Sequence, residues 1–272
     1  MQKKIEILGT KFDTITKKQA SEIVDRWLSE NRKRYIVTPN PEIVLKAEKD
    51  KEYKKIINRA DLSIADGTGI LWASKFRKIL LKKDSTFKKF SKWAISLAMI
   101  PISKEYIETV IPERITGVDF MKEICKKAAK RKNRVFLLGA AEGVAKLTAK
   151  KLQKDIKNLK ISGTYSGTAK KKDDEEIIKI INRTSPEVLF VAYGAPEQEK
   201  WIHRNYKKIP NLKIAMGVGG AFDFISGRTK RAPRKIQKLG LEWAYRLYKQ
   251  PSRIKRIINA TIVFPVKMMK KR

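Results

Sequence analysis

The stretch Ile214-Ala-Met-Gly-Val-Gly-Gly-Ala-Phe-Asp-Phe-Ile-Ser-Gly227 decides the fold of this 272-residue chain. Its start predicts a buried strand, Gly219-Gly220 predict a turn, and the residues from Arg228 onward predict a basic helical tail. The same rhythm of short apolar strands and helices of about ten or more residues runs through most of the chain. It predicts an α/β fold, a Rossmann-like and mostly parallel sheet with helices on both faces.

The predicted strands are 5–8, 35–37, 62–65, 135–138, 159–165, 188–192 and 214–218. The predicted helices are 17–29, 42–59, 118–131, 143–154, 173–183 and 196–206. Two segments depart from the alternation. We therefore expect a core over residues 1–227 with a helical insertion at about 78–111, and a basic helical C-terminal appendage over 228–272, called the tail below.

The charge of the chain limits its partners. The net charge is +35, while 42% hydrophobic residues are enough for a real core. From Arg228 to Arg272 there are fifteen Lys or Arg residues and one acid, Glu242. Nucleic acid, an anionic membrane surface and polyphosphate substrates are the three kinds of partner that such a charge permits.

Other features exclude several classes. One cysteine, Cys125, and one histidine, His203, argue against a disulfide, a His-based zinc site and a Ser-His-Asp triad. We expect Cys125 to be a small buried hydrophobe and His203 to have a packing role. We expect no signal peptide, because Ile5-Glu-Ile-Leu is too short for its apolar core, and the longest apolar patches fall short of the ~20 residues that span a bilayer. We expect a cytoplasmic protein, or one held on the cytosolic side of a membrane.

Ligands of open α/β sheets bind at the carboxyl ends of the strands, and two predicted strands end in polar turns. Thr38-Pro-Asn-Pro is a rigid turn that presents Thr38 and Asn40, because both prolines fix φ. Asp66-Gly-Thr-Gly places a carboxylate in the crevice. For Asn40 and for Asp66, capping of the following helix explains the residue equally well.

Three further strand ends are rich in glycine. Gly139 opens a turn that could admit a phosphate to a helix N-terminus, although it lacks a complete G-x-G-x-x-G fingerprint. Gly194 permits close approach, and Gln198 offers an amide to a base edge. The amides of Gly219 and Gly220 could face a diphosphate. Together the five ends describe a nucleotide-sugar pocket with a lone carboxylate. Since no D-x-D pair follows a strand, we predict no metal and expect arginines or helix dipoles at the diphosphate.

Seven motifs then carry a family resemblance over nearly the whole chain. In order they are Thr38-Pro-Asn-Pro-Glu, Ala65-Asp-Gly-Thr-Gly-Ile with Trp72, Pro112-Glu-Arg-Ile-Thr-Gly-Val-Asp, Tyr193-Gly-Ala-Pro-Glu-Gln-Glu, Gly217-Val-Gly-Gly-Ala-Phe-Asp, Arg231-Ala-Pro and Leu241-Glu-Trp-Ala-Tyr-Arg-Leu. They closely resemble the WecG/TagA/CpsF family of bacterial glycosyltransferases (glycosyltransferase family 26).

The resemblance implies an inverting, metal-independent enzyme without a cofactor. Such enzymes move a sugar, often N-acetylmannosamine or its uronic acid, from a UDP donor onto a polyprenyl-diphosphate-linked sugar. The products feed wall teichoic acid, enterobacterial common antigen or capsule assembly. The implied location is the inner face of the cell membrane, at an anionic membrane surface. The sequence leaves the polymer, the exact sugars and a homo-oligomer open.

The resemblance also implies roles for particular residues. Asp66 is the expected general base, with Thr38 beside it in the pocket. Asn40, Gly139, Gly194, Gln198, Gly219 and Gly220 are expected to bind the donor. The tail is expected to close over the site and to supply Arg246, Arg253 and Arg256 to the diphosphate; their spacings of seven and three put them near one helical face.

Relative to typical members, the chain has roughly two dozen extra residues within about Lys78 to Ile111. One hypothesis is an interfacial element that lays Phe87, Phe90, Trp93 and Leu97 into lipid while its lysines meet head groups. The alternative is a helical hairpin packed on the protein's own core. In the tail, Ile257, Ile258, Ile262, Val263 and Phe264 interleave with basic residues and predict a second membrane contact.

Two other functions compete with the transferase. A non-catalytic basic α/β protein that binds nucleic acid would explain the charge, but the aromatic residues form no RNA-binding signature. We therefore expect no nucleic-acid partner. A nucleotide-sugar epimerase or dehydrogenase would require the glycine fingerprint that Gly139 lacks.

Overall fold

The protein is described here by a computed structural model covering residues 3–81, 83–233, 236–237, 240 and 242–270. Lys82 of the 78–111 segment, and Arg234 and Leu241 of the tail, lie outside these residues. The strands are β1 (Lys4–Ile7), β2 (Thr10–Asp13), β3 (Arg34–Val37), β4 (Leu62–Ser63), β5 (Arg134–Gly139), β6 (Lys160–Tyr165), β7 (Val188–Ala192) and β8 (Ile214–Gly217).

The helices before the tail surround these strands. They are α1 (Lys17–Ser29), α2 (Pro41–Lys49), α3 (Lys51–Asn58), α4 (Thr68–Ile79), α5 (Thr86–Ala98), α6 (Lys104–Ile107), α7 (Gly117–Lys130), α8 (Val144–Asp155), α9 (Asp174–Thr184), α10 (Glu197–Asn205) and α11 (Ala221–Ser226). The tail adds α12 (Glu242–Lys249), α13 (Ile254–Ile258), a π-helical turn (Asn259–Val263) and α14 (Phe264–Lys270).

Six strands form one parallel sheet in the order β4-β3-β8-β7-β5-β6. On one face, α1, α7, α8 and α11 bury residues such as Phe120 and Phe222. On the other, α3, α9 and α10 bury Tyr53 and Trp201 among others. The near-continuous apolar strands are buried on both faces, as parallel sheets require. The predicted fold class is confirmed.

The structure corrects the prediction for the amino-terminal end of the chain. The strand predicted at 5–8 does not join the parallel sheet, because β1 pairs antiparallel with β2 in a separate hairpin. The sequence had given no sign of β2, whose Lys-Phe-Asp stretch is mostly polar. The helix predicted over 42–59 is divided into α2 and α3. The Asp50 side chain accepts the Tyr53 N–H and starts a new helix there.

A third core joins the tail to the rest of the molecule. Trp72 and Phe76 of α4 stack in it, and the Phe264 ring lies edge-on to Trp72. Phe264 is fully buried and Ile257 nearly so, while Val263 packs on the same core. The membrane contact predicted for these three residues is therefore wrong, since they fold onto the protein. Ile258 and Ile262 are exposed. The domain boundary at residues 227 and 228 stays a prediction.

The apolar residues of the 78–111 segment also divide into some that pack on the protein and some that are exposed. Trp93 and Leu97 pack on the third core, and the Trp93 Nε1–H donates to the Pro265 carbonyl oxygen at 2.9 Å. For these two residues the structure favours the alternative of a segment packed on the protein's own core over insertion into a bilayer, because α5 turns them toward the third core. Phe87 and Phe90 are 78% and 51% exposed. No helix in the described part of the chain is long and apolar enough to span a bilayer.

Candidate functional site

Two side chains that follow neighbouring strands meet at the start of α7. Thr38 follows β3 and Asp66 follows β4. A Cβ on Gly117 would lie 3.3 Å from Thr38 Oγ1 and 3.6 Å from Asp66 Oδ2, so both oxygens lie close to its backbone. The Gly117 N–H donates to Asp66 Oδ2 at 3.2 Å. The structure thus brings the two predicted catalytic residues together under the positive end of a helix.

The alternative role of Asp66 as a helix cap is wrong. Helix α4 begins after Gly67, which has a φ of 108° and no side-chain cap. The carboxylate is left free to accept from Gly117. Asn40 both caps a helix and lines the cleft. Its Oδ1 caps α2 by accepting the Ile43 N–H at 3.0 Å, and the residue also lines the cleft described next.

A cleft of about 470 Å³ opens beside Asp66, and we call it the Asp66 cleft. Part of its lining is polar or charged, namely Asn40, Glu42, Asp66, Thr68, Arg114, Glu242, Arg246, Arg253 and Arg256. Another part is apolar and includes Trp72, Leu97, Ile100, Pro101, Trp243, Ile257, Ala260 and Pro265. The tail and the 78–111 segment therefore build much of the cleft.

Burial raises the pKa of Asp66 above its usual range. The Gly117 N–H and the positive charges of Arg246 and Arg114 act in the opposite direction, and Glu242 adds to the rise. A carboxylate in this setting holds a proton more readily than one in water, which is what a general base requires. Arg114 belongs to one of the seven motifs, but the sequence gave it no role.

The three tail arginines all reach the Asp66 cleft, although not along one helix as predicted. Arg246 lies in α12, Arg253 in a 3₁₀ turn and Arg256 in α13, because the helix ends before Pro251. Arg246 Nη2 donates to Glu242 Oε1 at 2.9 Å, and Arg256 Nε donates to Glu42 Oε2 at 2.7 Å.

Arg253 is the member of this group without an ion-paired acid among the described residues, although Glu42 and Asp223 act on it at longer range. Its side chain makes no ion pair or hydrogen bond with any residue that the structure describes. Burial, followed by repulsion from Arg256 and Arg246, lowers its pKa. Three guanidinium groups thus share one cleft with a positive charge that an anion such as a diphosphate would balance.

The tail is also fastened to the helix turn that holds Asp66. Arg231 donates from Nη1 to Asp119 Oδ1 at 2.6 Å, and from Nη2 to Asp119 Oδ2 at 2.9 Å and to Thr116 Oγ1 at 3.2 Å. Burial alone would raise the pKa of Asp119, but hydrogen bonds from Arg231 and Thr116 lower it to about 2. Thr116 caps α7 and precedes Gly117, so one turn contacts both the tail and the carboxylate. The sequence had not indicated this clamp.

Apart from Asn40, the residues predicted to bind the donor lie after the ends of β5, β7 and β8. Gly139 has a φ of 102°, and a Cβ there would lie 2.9 Å from the Ala192 carbonyl carbon. Gln198 is buried, and its Oε1 accepts the N–H groups of Gly194 and Gly219 at 3.1 and 2.9 Å. The Gln198 side-chain amide, which we expected at a nucleobase edge, therefore uses its oxygen to join two glycine turns. Gly220 follows as the residue before α11.

The other candidate groups have structural surroundings. Cys125 is fully buried, as predicted, and burial raises its pKa to about 12. His203 contacts the Tyr35 ring edge-on, and burial lowers its pKa. Within the described ranges, no three His, Cys, Asp or Glu side chains are grouped to hold a metal ion.

Glu199 gives the glycine turns a pH-dependent support. It accepts from Gln198 Nε2 at 2.6 Å and from the Tyr53 hydroxyl at 2.9 Å, and burial raises its pKa from 4.5 to about 7. Because the folded pKa exceeds the unfolded one, its contribution to stability is present below about pH 4.5 and is lost as the pH rises through 7.

We expect Glu199→Gln to remove this loss, because glutamine stays neutral at every pH. The melting temperatures of variant and wild type should be similar near pH ~5 and should diverge by pH ~8, with the variant more stable. Thermal melts across this range provide the measurement. Exposed Glu176→Gln is the matched control, and parallel curves for Glu199→Gln and wild type would contradict the expectation.

Comparisons with known proteins show which family this chain belongs to. The glycosyl transferase WecG/TagA/CpsF family matches residues 5–90 and 96–272. An N-acetylglucosaminyldiphosphoundecaprenol N-acetyl-beta-D-mannosaminyltransferase of Bacillus subtilis (strain 168) is 34% identical over 82% of this chain and 75% of its own length.

Enzymes of the same name from two other organisms are also similar. The one from Bacillus spizizenii is 31% identical over 88% of this chain and 80% of its own length. The one from Staphylococcus aureus (strain MRSA252) is 31% identical over 95% of this chain and 90% of its own length. With the family matched on both sides of residues 91–95, the chain belongs to the WecG/TagA/CpsF family of glycosyltransferases.

Proposed function

We propose that this protein transfers N-acetylmannosamine, or a related hexosamine or uronic acid, from a UDP donor to a sugar carried on a polyprenyl diphosphate. The observation that carries the proposal is the Asp66 cleft. There a carboxylate faces three arginines and an apolar surface in one cavity. A sugar joined by diphosphate to a hydrocarbon chain has the same three parts. The names of the relatives describe an acceptor of this kind.

The proposed reaction is a single displacement. Asp66 takes the proton from the acceptor hydroxyl as its oxygen bonds to the anomeric carbon of the donor sugar. The bond between that carbon and the UDP oxygen breaks, and UDP leaves with the electron pair. Since attack comes from the face opposite the leaving group, the configuration inverts. Thr38 lies beside the carboxylate and would position the hydroxyl.

Positive charge for the diphosphates comes from the tail in this proposal. Arg246, Arg253 and Arg256 would stabilise the charge on the leaving UDP or on the acceptor, so the step needs no metal. The glycine turns joined by Gln198 would bind the donor nucleotide. The product would enter teichoic acid, capsule or another surface polysaccharide. A lipid-linked acceptor would bring the enzyme to an anionic membrane, at its inner face.

The test is UDP release from a panel of UDP-sugars, with and without an N-acetylglucosaminyl-diphosphate-lipid acceptor. We expect release only when UDP-N-acetylmannosamine, or a close relative, and the acceptor are both present. The anomeric configuration of the product, read by NMR, tests inversion. Failure of every donor with the acceptor, together with a thermal shift by oligonucleotide but not by UDP at raised salt, would instead favour the nucleic-acid binder.

A further inference from the structure

Most of the apolar lining of the Asp66 cleft comes from two segments that are far apart in sequence. We define the apolar wall as Leu97, Ile100, Pro101, Ile257, Ala260 and Pro265, all of which line the cleft. The first three come from the 78–111 segment and the others from the tail. One hydrogen bond joins the two segments directly, since Trp93 Nε1 donates to the Pro265 carbonyl at 2.9 Å. A second holds α5 on α4, since Trp72 Nε1 donates to Ser96 Oγ at 2.9 Å.

The wall lies in the same cavity as the arginines. Arg114, Arg246, Arg253 and Arg256 line it as well, and so does Asp66, so a carboxylate, four cations and an apolar surface share one cleft. A free nucleotide or a free sugar has no group that would cover six apolar side chains. A diphosphate attached directly to a hydrocarbon does, because its charge and its chain begin at adjacent atoms.

Exposed apolar surface is concentrated on the same two segments. Of the eleven large apolar side chains that the described residues expose, ten belong to residues 81–102 or 243–262, and Leu147 alone lies elsewhere. Next to the wall in sequence are Ile102, 72% exposed, and Ile262, 58% exposed. The segments that line the cleft with apolar residues are thus also the ones that expose most of the large apolar side chains.

We propose that the apolar wall is a subsite for the first isoprene units of the acceptor's chain, and that the 78–111 segment serves to complete it. This inference rests on the proposed function for the identity of the ligand. It assigns to Leu97 and Ile100 direct contact with the hydrocarbon next to the diphosphate. It differs from general adsorption to a membrane, because only side chains inside the cleft take part.

The test measures binding without catalysis. Isothermal titration compares farnesyl diphosphate, below its micelle concentration, with inorganic pyrophosphate. Wild type should bind the farnesyl compound more tightly. Ile100→Ser and Leu97→Ser should each reduce that preference roughly tenfold, the scale on which a pocket discriminates by a methylene-sized contact. Pyrophosphate affinity should stay near that of wild type, even though lost packing on the third core will lower the melting temperature somewhat.

Ile95→Ser is the matched control. Ile95 lies on α5 like Leu97, is 62% exposed and does not line the cleft. An equal loss in this variant would replace the subsite with nonspecific adsorption. The absence of any farnesyl preference in wild type would also overturn the subsite. This test can fail independently of the proposed function. A farnesyl preference without sugar transfer would contradict only the transferase, and transfer without the preference would contradict only the subsite.

Discussion

Asp66→Asn reduces sugar transfer by orders of magnitude while leaving UDP binding and the fold intact: this is the result that we expect from the most informative single substitution. Asparagine has nearly the same shape, and its Oδ1 can still accept the Gly117 N–H that Asp66 now accepts at 3.2 Å. It cannot take a proton from the acceptor hydroxyl. The rate constant for transfer should fall by about 10²–10⁴-fold, the usual contribution of a general base.

The pH dependence supplies a second signature. Burial raises the pKa of Asp66, so the acid limb of kcat/KM in wild type should lie above the ordinary aspartate value of 3.8. Activity should rise with pH through that pKa, because only the deprotonated carboxylate acts as a base. In Asp66→Asn the residual rate should lose this limb.

Steady-state UDP release and UDP titration provide the measurements. Asp155→Asn, at the exposed end of α8, is the control for removing one carboxylate. Turnover in Asp66→Asn close to that of wild type would take the base role away from Asp66. Loss of UDP binding together with a lower melting temperature would indicate a structural role instead.

The sequence predicted the parts of the site that a parallel sheet determines by itself. The carboxyl ends of neighbouring parallel strands lie at one edge of the sheet. Predicting the strands β3 and β4 is therefore enough to predict that Thr38 lies next to Asp66. Proline and glycine at those ends marked the turns correctly. The family follows from motifs at the same places, and it is confirmed by the match over most of the chain.

What the sequence missed depends on contacts between distant segments. Arg231 and Asp119 are 112 residues apart, and neither lies in a pattern that points to the other. The orientation of α5 was undecided for a similar reason, because apolar residues occur on several of its faces. Only the tail's position decides that Trp93 faces Pro265 while Phe87 faces solvent. The break before Pro251 likewise turns an expected helical row of arginines into a cluster.

Arg253→Ala should weaken diphosphate binding without weakening the free protein. Its guanidinium lies in the Asp66 cleft without an acidic partner among the described residues, and it is repelled by Arg256 and Arg246. Removing it relieves that repulsion, so the melting temperature should hold or rise slightly. Loss of a charge-assisted hydrogen bond, about 1.5–3 kcal/mol, corresponds to about 10–150-fold weaker binding of pyrophosphate.

Lys255→Ala is the matched control, because it removes one positive charge from the same stretch of tail and Lys255 is exposed outside the cleft. Titration with inorganic pyrophosphate, and kcat and KM for transfer, are the measurements. An equal loss in both variants would mean that the tail acts through its overall charge. Unaltered kinetics in Arg253→Ala would leave the tail as an anchor and move the diphosphate elsewhere. A loss confined to Arg253→Ala would assign diphosphate binding to Arg253 itself. The diphosphate would then be the ion-pair partner that Arg253 lacks among the described residues.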